Sequence, residues 1–299
     1  MKIFCTGASG YIGGSVAAHL IAAGHHVTGL VRSSEKAEAV RARGIQPVLG
    51  TLDDGETLAQ AARAADVVVN AASADHRGAV ESLLGALAGS GKPFIHTSGS
   101  SIVGTRARGQ RSDEIFDEDA PITPSPARVA RVALNEFILS HRDKGCRPAI
   151  ICPSLIYGLG LGAGPDSVQV PLLISLAKKR GNAAHAGPGE NIWSNVHIDD
   201  LVTLYALAIA KAPAGSFYFA ENGENSMREA CEAINRMLGF AGPPTAMSMQ
   251  EAAAEWGEGT AEDTMASNSR VRAKRARQLG WQPRARGLIE EIEQGCYRE

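Results

Sequence analysis

Short apolar runs rich in β-branched residues alternate with longer amphipathic stretches through the first half of the chain. The runs predict six strands, at Lys2–Cys5, His26–Val31, Gln46–Leu49, Asp66–Asn70, Pro93–Thr97 and Arg147–Cys152. The stretches predict helices, one of them containing Ala17–Ala23 and the others at Ser34–Ala42, Glu56–Ala64, Arg77–Ala88 and Pro124–His141. Regular alternation of this kind is typical of right-handed βαβ units, so the pattern predicts an α/β protein with a doubly wound parallel sheet.

The pattern changes after Cys152. Residues 157–165 hold four glycines and a proline, which predicts a loop. The elements predicted beyond it are a helix near Val168–Lys179, a sheet element at Trp193–Ile198, a helix at Asp199–Ala210 and a helical, polar tail from about Glu221. We therefore expect a Rossmann-type domain over residues 1–155, to which residues 190–220 return, and a smaller C-terminal substrate lobe formed by residues 156–189 and 221–299.

Composition narrows the range of partners. Thirty Lys and Arg against thirty-two Asp and Glu give a net charge of −2, so no basic excess favours nucleic acid or a membrane surface. No apolar run approaches the ~18 residues of a membrane span, and the glycines begin too early for a signal peptide. The five cysteines are scattered without a Cys-x-x-Cys pair, and no metal-ligand spacing is present. We expect a cytoplasmic protein that binds a small molecule and no metal.

The clearest chemical signal is the segment Thr6-Gly7-Ala8-Ser9-Gly10-Tyr11-Ile12-Gly13, between the first predicted strand and the first predicted helix. A turn with positive φ and a close approach of backbone to a pyrophosphate both favour glycine. The N-terminus of the helix that follows offers free N–H groups to an anion. In this context the segment predicts a dinucleotide site, with contacts from Gly7, Ser9, Gly10, Tyr11, Ile12 and Gly13.

The end of the second strand predicts which cofactor is preferred. NAD-binding proteins carry an acidic residue there, which holds the ribose 2′-hydroxyl, whereas this chain has Arg32, Ser33 and Ser34 before the first acid, Glu35. A guanidinium pairs with a 2′-phosphate, and Ser33 can donate a hydrogen bond to it. We therefore predict NADP(H), with NAD(H) as the weaker ligand. The alternative is that Arg32 is an ordinary solvated arginine.

With these motifs in order, the chain resembles the extended short-chain dehydrogenase/reductases, which include the NAD-dependent epimerase/dehydratase family. Further segments carry the resemblance, at Gly50–Asp54, Val69–Ala72, Pro153–Gly158, Asn195–Asp200 and Leu279–Pro283. The resemblance implies further cofactor contacts from Thr51, Leu52, Asn70, Ala71, Ala72, Thr97 and Pro153. It also implies a homodimer through the helices near Arg77–Ala88 and Pro124–His141.

The chain departs from this family at the catalytic residues. The family uses a Tyr-x-x-x-Lys pair, in which lysine lowers the tyrosine pKa for proton transfer, but here no tyrosine lies between Tyr11 and Tyr157. The tyrosine and lysine positions fall on Arg128 and Val132, or on Arg131 for lysine after a one-residue slip. Candidate catalytic residues are Ser98, Ser100, Arg128, Arg131 and, in reserve, Tyr157. Serine can hold a carbonyl oxygen and arginine can act electrostatically; the alternatives are turn-capping serines and a solvated arginine stripe.

Three functions remain open on the sequence. The first is an NADP(H)-dependent oxidoreductase that acts on a carbonyl or hydroxyl group of a small molecule. The second is a non-catalytic NADP(H) sensor or regulator, and the third is an epimerase or dehydratase that holds its cofactor tightly. We expect the substrate to lie between the loop Gly158–Gly164 and the segment Ala184–Glu190.

Overall fold

A sheet of seven parallel strands dominates the computed structural model, which describes residues 1–164 and 166–298. The strands of the described residues, in this sheet and outside it, are β1 (Lys2–Thr6), β2 (His26–Val31), β3 (Gln46–Leu49), β4 (Val67–Asn70), β5 (Pro93–Thr97), β6 (Arg147–Pro153), β7 (Leu155–Tyr157), β8 (Ala184–Ala186), β9 (Ile192–His197), β10 (Ser216–Ala220), β11 (Glu224–Ser226) and β12 (Thr245–Met247). The order of the large sheet is β10-β6-β5-β4-β1-β2-β3. The doubly wound α/β fold predicted from the sequence is thus confirmed.

Helices cover both faces of this sheet. The helices of residues 1–164 and 166–298, including those outside this sheet, are α1 (Tyr11–Ala22), α2 (Ser34–Arg41), α3 (Gly55–Ala64), α4 (Arg77–Leu87), α5 (Val129–Ser140), α6 (Gln169–Arg180), α7 (Ile198–Lys211), α8 (Met227–Leu238), α9 (Met249–Trp256), α10 (Glu258–Thr260), α11 (Lys274–Gln278) and α12 (Leu288–Gln294). Apolar side chains of α1 and α7 pack on one face, and those of α3, α4 and α5 pack on the other. Strand β4 is therefore buried on both sides, as expected for the centre of a parallel sheet.

The strand order reverses beside β1, because β2 and β4 lie on its two sides. In open α/β sheets a ligand binds in the crevice at the carboxyl ends of the strands, where the order reverses. The carboxyl end of β1 leads directly into the glycine-rich segment, and that of β4 leads into Ala71 and Ala72. The topology therefore directs the search for a ligand site to these two chain segments.

Helices α6, α8 and α12 share a separate apolar core beyond the main sheet. Strand β9 pairs with β7 and β11 in a three-stranded sheet, so Trp193–Ile198 does not return to the main sheet. Residues 190–220 were expected to return to the Rossmann-type domain. The strand of this range that joins the main sheet is β10, which pairs with β6. The tail after Glu221 is less polar than expected, because α8 buries Met227, Ala230 and Ile234.

The helix predicted at Pro124–His141 is shorter in the structure. A 3₁₀ turn occupies Pro126–Arg128, and α5 begins at Val129. Prolines disfavour the helical conformation of the residue before them, which explains why Pro124 and Pro126 delay the start. The shift leaves Arg128 at the N-terminal boundary of α5. No helix among residues 1–164 and 166–298 is both long enough and apolar enough to cross a membrane.

Candidate functional site

The glycine segment forms a tight turn in which backbone packs on backbone. Gly7 has a φ of +75°, and a Cβ there would lie 2.7 Å from the carbonyl carbon of Ala71. A Cβ on Gly13 would come within 2.4 Å of the Gly7 carbonyl oxygen. Gly10 precedes α1 without any side-chain cap, so N–H groups of the first turn of α1 remain available to an anion.

A groove of about 740 Å³ opens at this turn. Eleven of the predicted cofactor contacts line it: Gly7, Ser9, Gly10, Tyr11, Ile12, Gly13, Arg32, Thr51, Leu52, Ala71 and Ala72. They come from the carboxyl ends of β1, β2, β3 and β4 and from the first turn of α1. The structure therefore brings together residues that the sequence separates by up to 65 positions.

The other four predicted contacts, Ser33, Asn70, Thr97 and Pro153, do not line the groove. Ser33 caps α2, with its Oγ accepting from a backbone N–H, and the Thr97 hydroxyl bonds to the phenol of Tyr205 at 2.6 Å. Asn70 is buried and accepts from the Thr6 hydroxyl. Pro153 lies inside the sheet, paired with Ala220. At three of these four positions a hydrogen bond within the protein already engages the side chain.

Lys36 is a groove residue that the sequence interpretation missed. It lies in the first turn of α2, four positions after Arg32, and both side chains line the end of the groove near β2 and β3. The carboxylate of Asp53 lies at the same end, where its Oδ1 is 3.1 Å from Nε2 of His76. The spacing of Arg32 and Lys36 across the start of a helix is a sequence signal that could have identified the second cation.

Residues of the lobe form the opposite wall of the groove. Ser154 and Ile156 contribute from the chain around β7, and Asp166, Ser167, Val168 and Gln169 contribute from the segment that leads into α6. We expected the loop Gly158–Gly164 and the segment Ala184–Glu190 to wall the substrate, and neither belongs to this lining. Residues Ala184–Ala186 form β8 and pair with β12 instead.

An ion pair occupies the helix face where the family's lysine is expected. Arg131 makes two hydrogen bonds to Asp75, with Nε–Oδ1 at 2.7 Å and Nη2–Oδ2 at 2.5 Å. Its Nη1 also donates to the Ser101 hydroxyl at 3.2 Å. The hydrogen bonds from Arg131 lower the pKa of the Asp75 carboxyl. Arg131 thus fixes the loop after β4 against α5, and its charge is already neutralised.

The two predicted serines differ in what they contact. Both are buried. Ser98 Oγ accepts a hydrogen bond from Asn135 of α5 at 3.0 Å. Ser100 is engaged by the Ser269 hydroxyl at 2.9 Å, on the side of the C-terminal segment. Ser98 is therefore the one of the two that is held against α5.

Three buried polar atoms in the same region have no hydrogen-bond partner among residues 1–164 and 166–298. They are Nε2 of His96, Nε of Arg128 and Oδ1 of Asn135. Nδ1 of His96 lies 3.0 Å from the Asn70 amide nitrogen, and burial lowers its pKa to about 4, so its ring is neutral near pH 7. Arg128 makes no ion pair with any described residue. Unsatisfied buried groups are costly, so this cluster is suited to receive polar groups of a ligand.

Tyr157 lies away from the groove and from this cluster. Its hydroxyl donates to the carbonyl oxygen of Arg286 at 2.6 Å, and its ring packs edge-on against His197. The side chain is completely buried in the lobe core. Burial raises the pKa of this phenol above its ordinary value. The structure therefore gives Tyr157 a packing role and does not bring it to the other candidate catalytic residues.

Comparison with known proteins identifies the family. The profile of the NAD dependent epimerase/dehydratase family matches residues 3–218, which is more than half of the chain. The chain belongs to the NAD-dependent epimerase/dehydratase family. This match confirms the family resemblance that the sequence motifs indicate. Within the family, this chain departs by carrying Arg128 and either Val132 or Arg131 where the Tyr-x-x-x-Lys pair is expected.

Individual relatives extend over most of the chain. It is 32% identical to a protein named oxidase ucsJ from Acremonium sp, over 98% of this chain and 95% of the relative. It is 28% identical to a 4-hydroxy-2-methyl-3-oxo-4-farnesyl-3,4-dihydroquinoline-1-oxide ketoreductase from Stigmatella aurantiaca, over 75% of this chain and 69% of the relative. Among solved structures, the dTDP-glucose 4,6-dehydratase of Bacillus anthracis in complex with NAD superposes with a TM-score of 0.78, at 18% identity over 98% and 95% of the two chains. This structural similarity shows the shared fold.

Proposed function

We propose that the chain is an NADP(H)-dependent oxidoreductase that acts on a carbonyl or hydroxyl group of a small molecule. The observation that carries the cofactor preference is the pair of cations, Arg32 and Lys36, at the end of the groove, with no carboxylate at the end of β2. The names of two relatives, an oxidase and a ketoreductase, support the reaction class. The complex of a structural neighbour with NAD supports a nicotinamide cofactor.

The residues of the groove fit both the pyrophosphate and the 2′-phosphate of NADP(H). The turn at Gly7, Gly10 and Gly13 leaves no room for a Cβ at two of its glycines, and the first turn of α1 presents N–H groups with no side-chain cap. Such a terminus favours the charge of a pyrophosphate. Arg32 and Lys36 would bind the 2′-phosphate through charge-assisted hydrogen bonds. When bound, NADP(H) supplies the donor or acceptor of the hydride.

The catalytic groups in this proposal are Ser98 and Arg128. A carbonyl oxygen that gains negative charge as hydride arrives is stabilised by fixed hydrogen-bond donors and by a nearby cation. Ser98 is held by Asn135 of α5, and Arg128, at the start of the same helix, makes no ion pair with a described residue. An arginine keeps its proton near neutral pH, so proton transfer falls to serine or to water. Arg131 would position this region through Asp75.

A non-catalytic NADP(H) sensor or regulator is the second candidate. The observation that favours it is that four predicted catalytic side chains, those of Ser98, Ser100, Arg131 and Tyr157, make hydrogen bonds within the protein. Such contacts preserve a fold whether or not chemistry occurs. A protein that binds NADPH and oxidises it with no carbonyl compound would favour this candidate over the oxidoreductase.

We expect NADPH to bind more tightly than NADH, and Arg32→Ala or Lys36→Ala to remove most of the difference. Loss of one charge-assisted contact to phosphate costs ~1.5–3 kcal/mol, or roughly tenfold to hundredfold in affinity. Fluorescence titration of both nucleotides with the wild type and each variant measures this. Arg41→Ala is the matched control, because Arg41 is exposed on the same helix and does not line the groove. Equal affinities for the two nucleotides in the wild type would refute the NADP(H) preference.

The homodimer remains a prediction. Helices α4 and α5 lie side by side and carry the exposed Val129, as the family resemblance would require of a dimer surface. Sedimentation equilibrium of the wild type tests it directly. The cytoplasmic location likewise remains a prediction from composition.

A further inference from the structure

The glycine loop, residues 158–164, is fastened to the first helix of the main domain. The Tyr11 hydroxyl donates to the carbonyl oxygen of Gly158 at 2.8 Å. The N–H of Leu161 donates to Ser15 Oγ at 3.0 Å, and the carbonyl oxygen of Leu161 accepts from Nη1 of Arg43 at 3.1 Å. Two hydrogen bonds therefore join the loop to α1, which carries the glycine turn, and a third joins it to Arg43, which follows α2.

Close backbone contact accompanies these hydrogen bonds. A Cβ on Gly14 of α1 would lie 2.8 Å from Cα of Gly162, and a Cβ on Gly162 would lie 2.7 Å from Cα of Gly14. A Cβ on Gly164 would lie 3.0 Å from the carbonyl oxygen of Ser9. The loop is seated so closely that a single methyl group at either member of the first pair would displace it.

Tyr297 holds the other side of the same loop. It follows α12, and its hydroxyl accepts a hydrogen bond from the N–H of Gly158 at 2.9 Å. The same hydroxyl lies 3.3 Å from Oγ of Ser167, a residue of the groove wall. Gly158 is thus held at its carbonyl by Tyr11 and at its N–H by Tyr297. Tyr297 therefore contacts both the first residue of the glycine loop and a residue of the groove wall.

We propose that Tyr297 is a positioning residue, which keeps the glycine loop seated on α1 so that the bound nucleotide leaves only after the loop detaches. The groove lies between the glycine turn and the wall formed by residues 154, 156 and 166–169. No residue of the loop lines the groove itself, but Gly164 packs against Ser9 and Gly10 of the glycine turn. The seating of the loop therefore fixes the position of the turn at which the pyrophosphate would bind. The proposal rests on the nucleotide site of the proposed function and adds to it a control of nucleotide release by the C-terminal tail.

The test measures the rate of NADPH release by stopped-flow displacement, with Tyr297→Phe and Arg43→Gln as variants. Tyr297→Phe removes the acceptor of the Gly158 N–H, and we expect release about tenfold faster, as the loss of one hydrogen bond implies. Arg43→Gln weakens the exposed anchor that follows α2 and should accelerate release in the same direction by less. The control is Arg236→Gln, which breaks the 2.6 Å contact of Arg236 with Glu293 of α12 without touching the loop. Equal acceleration in the control would overturn the proposal, because it would assign the effect to general loosening of α12.

Gly14→Ala separates loop seating from stability. Alanine is favoured over glycine inside a helix by roughly 1 kcal/mol, so a merely structural account expects a more stable protein with unchanged release. The contact with Gly162 instead implies an unseated loop, and we expect NADPH release at least about tenfold faster with circular dichroism unchanged. Unchanged release in both Gly14→Ala and Tyr297→Phe would overturn the positioning role while leaving the nucleotide site intact. A wild type that binds neither NADPH nor NADH would overturn the proposed function and this inference with it.

Discussion

Gly10→Val is expected to abolish NADPH binding while the protein stays folded. Gly10 has φ −93° and ψ 178°, an extended conformation that valine adopts readily, so no backbone strain is introduced. Its Cβ would lie 3.3 Å from the Gly7 carbonyl oxygen, and its methyl groups would occupy the groove beside the first N–H groups of α1. Loss of two charge-assisted contacts to the pyrophosphate costs ~3–6 kcal/mol, which weakens binding by more than about a hundredfold.

Isothermal titration calorimetry with NADPH measures the expected loss of binding, and circular dichroism measures whether the variant stays folded. Gly259→Val is the matched control, because Gly259 is exposed, has no atom within 4 Å of an added Cβ and does not line the groove. Gly13→Val should behave differently from both. Its Cβ would lie 2.4 Å from the Gly7 carbonyl oxygen, so the turn itself must shift and thermal stability should fall together with binding. Tight NADPH binding by Gly10→Val would mean that the glycines serve the turn alone.

The parts of the fold that depend on local pattern were predictable. The first six strands are largely apolar runs separated by helices, and all but the edge strand β3 are mostly buried. The structure places them within two residues of the predicted bounds. The glycine turn was predictable because its requirements are those of the backbone itself. Arg32 could be assigned to the groove since it follows β2 directly. The pairing of the lobe strands was harder to predict from the sequence. The apolar runs of β7 and β9 would suit the main sheet as well as the smaller one, and only tertiary contacts decide which sheet they join.

The hydrogen-bond partners of the candidate catalytic side chains could not be predicted from the sequence pattern. Ser100 is engaged by Ser269, which is 169 positions away along the chain, and Tyr157 by Arg286, which is 129 positions away. A hydroxyl that is free and one that is bonded look identical in a sequence. The same holds for Arg128 and Arg131, whose spacing suggested one stripe. The structure separates them, because Asp75 neutralises Arg131 and no described carboxylate pairs with Arg128.

Ser98→Ala and Arg128→Ala are each expected to lower turnover on the order of 10²-fold with little change in NADPH affinity, because removal of one donor to a developing oxyanion has an effect of this size. The physical basis is that both groups act on the reacting oxygen in our proposal, and neither lines the groove in which the nucleotide would bind. Arg128→Lys should recover part of the loss, since the charge is kept while the planar fork is not. The measurement is NADPH oxidation with a panel of aldehydes and ketones, with kcat and KM determined separately.

Ser140→Ala serves as the control on the same helix, because Ser140 is exposed and its hydroxyl donates only to the Phe137 carbonyl. Arg131→Ala probes positioning, since it releases Asp75 and the loop after β4; we expect a raised KM as well as a lower kcat. Tyr157→Phe and Ser100→Ala remove hydroxyls bonded inside the protein, so their expected effect is on thermal stability. If Tyr157→Phe alone stopped turnover, the assignment to Ser98 and Arg128 would be wrong. If the wild type bound NADPH and oxidised it with no compound of the panel, the sensor would replace the oxidoreductase as the favoured function.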